Sequence, residues 1–342
     1  MSLPPSGEIP QGAIRFNTDS QRLEFYAQGE WWVMSTDTPN LGRDVDSTPG
    51  ARGFWMGGTR NPNTDTIDYV NISSPGNAID FGNLTVGRTG VSCVASSTRG
   101  LCGGGFVNPL NKNEIDFITV ASTGNATDFG DLNTASRDGC GVSNSTRGLF
   151  FLARIAASPN LTNEIDQITI ASTGNAVDFA NKTNNAASMG SCESPTRGLA
   201  AGGQTPGNVN TIQFIIIASG GNAQDFGDLA NAQEGGSGAG NAVRGIFAGS
   251  QVGPAATNNI EYVTIASTGN STDFGDLTTV ASTPGCCSNS TRMLRGGGNT
   301  PDGNTVTIDH VIIMTTGDAV DFGDLTEASN SIDAQSNAHG GL

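Results

Sequence analysis

Between Glu114 and Ala121 apolar and polar residues alternate, yet neither face is left polar. Ile115, Phe117 and Thr119 fall on one side, and Asp116, Ile118 and Val120 on the other. A strand of that kind is packed on both faces. S-T-G-N follows, and then A-T-D-F-G-D-L; Gly124-Asn125 between the two runs suits a tight hairpin that needs positive φ. Upstream lie G-V-S-C-V-A and S-S-T-R-G-L-C-G-G-G. The pattern predicts four short strands, roughly Val91–Ala95, Arg99–Gly103, Glu114–Ala121 and Ala126–Leu132.

The same pattern recurs. Asp-Phe pairs stand at Asp80-Phe81, Asp128-Phe129, Asp178-Phe179, Asp225-Phe226, Asp273-Phe274 and Asp321-Phe322, spaced 48, 50, 47, 48 and 48 residues apart. The turn recurs at Gly76-Asn77, Gly174-Asn175, Gly221-Asn222, Gly269-Asn270 and Gly317-Asp318. A fixed period of this size marks a repeat architecture, in which each unit buries its faces on its neighbours. Six four-stranded units predict an all-β fold, a six-bladed β-propeller whose sheet edges are short and protected. Phe81, Phe129, Phe179, Phe226, Phe274 and Phe322 are the expected plugs between blades.

A second register is set by Arg52, Arg99, Arg147, Arg197, Arg244 and Arg292, with His339 one period further on in SNAHGGL. The chain thus ends on the start of a seventh unit. Residues 331–338 are expected to supply the inner strand of the first blade and to close the ring, making 41–342 one propeller. Residues 1–40 stand outside the repeat. AIRFN, RLEFY and WWVMS, separated by turn-like TDSQ and AQGE, predict a three-stranded meander. Three strands rarely stand alone, so Phe16, Phe25, Tyr26, Trp31 and Trp32 are the expected docking residues, toward a larger assembly or sister subunits.

Composition narrows the chemistry. Sixteen Lys and Arg against 32 Asp and Glu give a net charge of −16, which disfavours nucleic acid or an anionic membrane as partner. No window of 18 apolar residues exists, so no membrane span is expected, and MSLPPSGEIPQG lacks the pattern of a secretory signal. Cys93, Cys102, Cys140, Cys192, Cys286 and Cys287 form no CxxC pair; most precede the repeat Arg in the expected innermost strand and read as small, reduced core residues. No metal or cofactor is expected. Only His310 and His339 are available, which disfavours a nucleophile–His site, and His310 occupies the slot of Tyr69, Phe117 and Tyr262. Carboxylate pairs such as Asp128 with Asp131 and Asp273 with Asp276 recur in nearly every unit, whereas an active site is normally unique; turn formation is favoured for them, with calcium at such a turn left open. The repeat Arg either binds an anion or joins blades through an Asp or backbone carbonyls, the second being favoured.

The S-T-G-N turns are nearly uniform. The segments at the opposite end of the units differ: 59–66, 106–113, 155–163, 204–210, 251–259 and 299–305. Variation from unit to unit is where a ring acquires individuality. The candidate ligand or partner face therefore carries Asn61, Asn63, Asn108, Asn111, Asn160, Gln204, Asn208, Gln251, Asn258, Asn299 and Asp302. Rich in Asn, Pro and Thr and poor in charge, these loops suit glycan-like contacts, with plain loop drift the alternative.

At RGLCGGG, NEIDFITV and ATDFGDL the repeat resembles the Kelch pattern over residues 41–342. The Gly doublet reads as Gly57-Gly58, Gly103-Gly104, Gly202-Gly203 and Gly296-Gly297, lost at Ala153-Arg154 and Gly249-Ser250, and Phe stands where Kelch has Trp. Residues 12–35 resemble a short module of tail-fibre and other virion proteins of tailed bacteriophages, matched by Gly12, Ile14, Arg15, Phe16, Asn17, Leu23, Glu24, Gly29 and Trp31. The STGNATDFGDL repeats resemble those of marine phage, especially cyanophage, structural proteins. The resemblance implies a non-enzymatic virion protein assembled in the host cytoplasm, a tail-fibre or other appendage component for host-surface recognition or virion assembly. It also implies contacts with other virion proteins through 1–40 and homo-oligomerisation. The alternative is a lectin or a glycan-processing propeller enzyme.

Overall fold

Strands form where the alternation places them. The computed structural model describes residues 9–17, 22–33, 52–60, 63–155 and 160–342, and among these there is no helix. Two compact units divide the chain, Met1–Thr48 and Pro49–Leu342.

In the first unit, Ile14–Asn17, Arg22–Ala27 and Glu30–Val33 make a three-stranded antiparallel sheet in chain order. Register places Ile14 opposite Phe25 and Phe25 opposite Trp32, so these share a face with Phe16. Ile14, Phe16 and Trp32 are exposed there. The other face carries Arg15, which pairs with Glu24 at 2.7 Å and lies 4.1 Å over the Trp31 ring, itself 5.3 Å from Tyr26. The five aromatic candidates are thus split. Phe16, Phe25 and Trp32 lie together, while Tyr26 and Trp31 are engaged with the Arg15–Glu24 pair behind them.

Among the described residues the second unit contains six antiparallel sheets of one repeated design, here I to VI. Sheet II runs Ser92–Ala95, Arg99–Gly103, Glu114–Thr119 and Thr127–Asp131. Sheet III runs Cys140–Ser143, Arg147–Phe151, Glu164–Thr169 and Val177–Asn181. Sheet IV follows with Gly190–Glu193, Arg197–Ala201, Gly207–Ile216 and Gln224–Gln233, to which a short Gln204–Thr205 strand is added. Sheet V is Ser237–Gly240, Arg244–Val252, Ala255–Thr264 and Thr272–Ala281. Sheet VI is Gly285–Ser288, Arg292–Gly296, Thr307–Ile312 and Val320–Asp324. Sheet I takes its last three strands from Arg52–Met56, Thr66–Asn71 and Ile79–Asn83, and its first from Asp333–Ser336, antiparallel to Arg52–Met56.

Glycine corrects one detail of the register. The left-handed doublets that end the second strands are Gly57-Gly58, Gly104-Gly105, Gly202-Gly203 and Gly297-Gly298. In the G-G-G runs of sheets II and VI the pair lies one residue later than the Kelch-like spacing gives, because the first glycine still belongs to the strand. In sheet III the doublet position is accordingly Leu152-Ala153.

Six apolar clusters hold the second unit, and each draws on two successive sheets. Phe81 packs with Phe54 and Met56 of its own sheet and with Cys93, Cys102 and Ile118 of sheet II. Phe129, Phe179, Phe226, Phe274 and Phe322 occupy the same place in the next five clusters, the last joining sheet VI to Trp55 and Ile72 of sheet I. All but Phe179 are fully buried. Burial of such a ring contributes about 1.5–3 kcal/mol.

Candidate functional site

Two ends of the sheets must be compared, and the uniform end comes first. Each repeat Arg donates Nη1 to a carbonyl of the following sheet. Arg52 bonds Val120, Arg99 bonds Ile170, Arg147 bonds Ile217, Arg197 bonds Ile265, Arg244 bonds Ile313, and Arg292 bonds Ser73 of sheet I. Arg52, Arg99, Arg197 and Arg244 also lie 4.1–5.1 Å over the aromatic ring of their own third strand, a cation–π contact. The Arg are tied to backbone carbonyls, the structural alternative of the two weighed from sequence.

A second set of bonds runs the same way and uses the acidic residue of the third strand, or Gln213 in sheet IV. Asp116 accepts from the Thr85 amide and hydroxyl of sheet I, Asp166 from Asn133, Gln213 from Thr183, Glu261 from the Ala230 amide, Asp309 from Thr278, and Asp68 from Thr326. Burial raises the Asp68, Asp166 and Asp309 carboxyls above the usual range, opposed by these bonds. Sequence reading weighed the D-F-G-D carboxylates instead. Those at Asp80, Asp128, Asp178, Asp225 and Asp273 are exposed, and Asp80 closes a local turn onto the Gly82 amide. The buried acids were legible only as the position between Ile and the aromatic.

At the other end, six residues at the entrance to the first strands form a hydrogen-bonded ring. Asp138 N–H donates to Gly90 O, Ser188 to Asp138, Gly235 to Ser188, Thr283 to Gly235, Ser331 to Thr283, and Gly90 to Ser331, at 2.6–3.0 Å. All six have φ between 48° and 64°. Four are not glycine, and such left-handed residues persist only where their surroundings over-determine them. A pocket of about 70 Å³ opens here, lined by all six ring residues and by Asp333.

Beside the ring, the residue before each ring member bridges to the residue after each second-strand doublet: Thr89 to Phe106, Arg137 to Arg154, Ala187 to Gln204, Glu234 to Gln251, Ser282 to Asn299, and Asn330 to Thr59. The backbone geometry repeats while the side chains do not. Asp138 pairs with Arg154 at 3.0 Å and Arg137 at 3.6 Å, Arg154 donates to Gln204 Oε1, and Gln204 reaches Glu234. Burial pushes the Asp138 carboxyl up, against both guanidinium groups. Opposite, the rim is Thr59, Thr89, Ser282 and Asn330. This charged arc was missed because its members come from four segments, and SRDG before sheet III was its one visible signal.

The candidate face residues lie on the hairpins around this rim. Asn63 donates to Phe106 O, Asn111 to Arg154 O and Asn208 to Gln251 O, each joining one hairpin to the next. Gln204 sits within the charged arc, and Gln251 bonds Gly253 O in its own hairpin. Asn258 is half-buried, and Asn108, Asn160, Asn299 and Asp302 are exposed. Asn61 lies outside the described residues.

His339 corrects an expectation. It does not take the place of a repeat Arg, a role filled in sheet I by Arg52, whose amide bonds Asn337 Oδ1. Instead residues 337–342 turn in among the first strands. His339 Nδ1 lies 2.7 Å from Glu193, and its Nε2 lies 2.9 Å from Ala95 O and 3.3 Å from Ser143 Oγ. Ser, His and Glu thus meet, which spacing did not foretell. The shorter carbonyl contact requires a proton on Nε2, so that nitrogen cannot accept one from Ser143. His310 stands edge-on to Phe322 at 5.7 Å, as Tyr262 does to Phe274. All six cysteines are buried and free, and burial pushes the Cys140 and Cys286 thiols up to about 12.

Compared with known proteins, the chain matches no protein-family model, and no curated protein is significantly similar to it.

Proposed function

We propose that the repeat region is a closed six-bladed Kelch-like propeller, and that the chain is a non-enzymatic structural protein of a phage particle, a tail-fibre or other appendage component. In this reading residues 1–40 dock it to other virion proteins, with Phe16, Phe25 and Trp32 as the contact face. The rim of unlike hairpins is turned to a host-surface glycan or to a neighbouring virion protein. The closed form is supported by hydrogen bonds that run through all six sheets and return to their start. The observation that carries the functional reading is the division between the two ends. One end repeats the same Arg–carbonyl contact six times. The other keeps a common backbone ring and varies most of the side chains beside it, with Gln204 and Gln251 alike.

A glycan array combined with a glycosidase assay on the full chain tests this. Binding without turnover supports a receptor role; turnover overturns it in favour of the glycan-processing alternative. Absence of both, with the protein present in particles, favours a purely architectural role.

A further inference from the structure

The pocket at the six-residue ring carries a charge that no neighbouring side chain balances. Two carboxylates line it, Asp138 and Asp333. Asp138 is held by Arg154 at 3.0 Å and Arg137 at 3.6 Å. Asp333 lies on the first strand of sheet I, where the other five sheets place Ser92, Cys140, Gly190, Ser237 and Gly285. A carboxylate thus stands where the repeat is small and neutral. It is half-buried, and each oxygen accepts one amide, from Cys93 at 2.6 Å and Ala334 at 2.8 Å. Among the described residues no Lys, Arg or His pairs with it, and Glu193, which shares its sign, is beside His339. Burial raises the acid to about 7, as an unbalanced charge taken from water requires.

The surrounding groups call for a cation with N–H donors. Every amide of the ring is donated to the next ring carbonyl, so no nest of free N–H groups is left for an anion. Ser191 Oγ, also in the pocket, gives its proton to Gly141 O, and Ser237 Oγ takes the Cys286 amide. A hydroxyl whose proton is engaged and an ionised carboxylate can only accept. No group of three His, Cys, Asp or Glu side chains able to hold a metal ion occurs among the described residues. The volume of about 70 Å³ equals roughly five or six water molecules, and Val91, Met189, Pro284 and Ile332 complete the wall. That is room for a charged head and a short apolar stem.

We infer that this pocket receives a primary alkylammonium group, its N–H donors on Asp333 and Ser191 and its stem passing out through the ring. The site does not rest on the phage reading. A free amine and a lysine side chain share this chemistry. The test is an amide-shift NMR titration of the full chain at about pH 8, where the Asp333 carboxyl is ionised. The probes are n-butylammonium, N-acetyl-lysine methylamide, n-butanol and potassium chloride. n-Butylammonium is expected to shift the Cys93, Asp333 and Ala334 amides with a Kd on the order of 1 mM. It should bind at least about tenfold more tightly than n-butanol, which has its shape without the charge. Comparable binding of the lysine derivative assigns the site to a lysine side chain; binding of n-butylammonium alone assigns it to a free amine. Asp333→Asn removes the charge at nearly constant size and should weaken n-butylammonium at least about tenfold. The comparison of amine with alcohol uses the parent chain, so it decides the matter even if that variant does not fold. Equal binding of n-butanol or potassium, unchanged affinity in folded Asp333→Asn, or no shift at about 20 mM n-butylammonium would each overturn the proposal.

Discussion

Gly227 has φ near 152°, and a Cβ there would run into the carbonyl of Gly269 in the turn of the next sheet. Gly82, Gly130, Gly275 and Gly323 meet the next turn in the same way. In sheet III the position is Ala180, and the facing turn is changed to match. Sheet IV carries S-G-G-N, with Gly220 and Gly221 at φ 73° and 98°, where sheets II, III, V and VI hold a single Gly at φ 151–158°. Two substitutions 41 residues apart in sequence are therefore one packing adjustment. Gly227→Ala is expected to destabilise by about 1–3 kcal/mol in urea unfolding, whereas Ala180→Gly should stay within about 1 kcal/mol. Asp333 supplies a test in pH. Burial raises its carboxyl from 3.8 to about 7, against bonds from the Cys93 and Ala334 amides. The folded state then holds a proton that the unfolded state has released. Its contribution is full below about pH 4 and is lost as pH rises toward 7. Asp333→Asn should flatten the fall in melting temperature across that window; an unchanged slope would remove Asp333 as its source.

Among elements, Asp333–Ser336 has the widest reach. It pairs with Arg52–Met56, about 280 residues away in sequence, and lies between the first strands of sheets VI and II. Asn337 accepts from the Arg52 amide as Asn241 accepts from Arg244 and Asn289 from Arg292, although no peptide bond links this hairpin. Removing residues 330–342 would expose the Arg52–Met56 edge, open the six-residue ring at Ser331 and withdraw His339 from Glu193. The melting temperature should fall sharply, and an unchanged melt would contradict any closing role. Much of this element was legible in advance, because the first-strand pattern recurs one period after sheet VI. The fate of His339 was not: periodicity aligned it with Arg, but sheet I already has its Arg at position 52, and the tail is left to fold inward.

For the whole molecule, the six apolar clusters make every sheet depend on two others, so a single core truncation should weaken the whole unit. Phe226→Ala is expected to cost about 3–5 kcal/mol in one cooperative transition, read by calorimetry. Loss of confined scope, with one sheet melting early, would show the sheets to be separable. If residues 1–40 dock the chain to a particle, their deletion should abolish incorporation while leaving the repeat region folded. Continued incorporation would refute that anchor.

By itself the sequence determined what is local and what is periodic. Alternation on both faces gave the strands, Gly-Asn the hairpins, and the 47–50-residue interval the number of sheets, because each is written in neighbouring residues or in their recurrence. The tertiary structure alone decided what the unlike residues do. It gathered Arg137, Asp138, Arg154, Gln204 and Glu234 from separate segments into one arc and turned His339 away from its apparent register. Those outcomes depend on which groups meet across sheets, and the meeting is fixed by packing between units that the pattern within a unit does not encode.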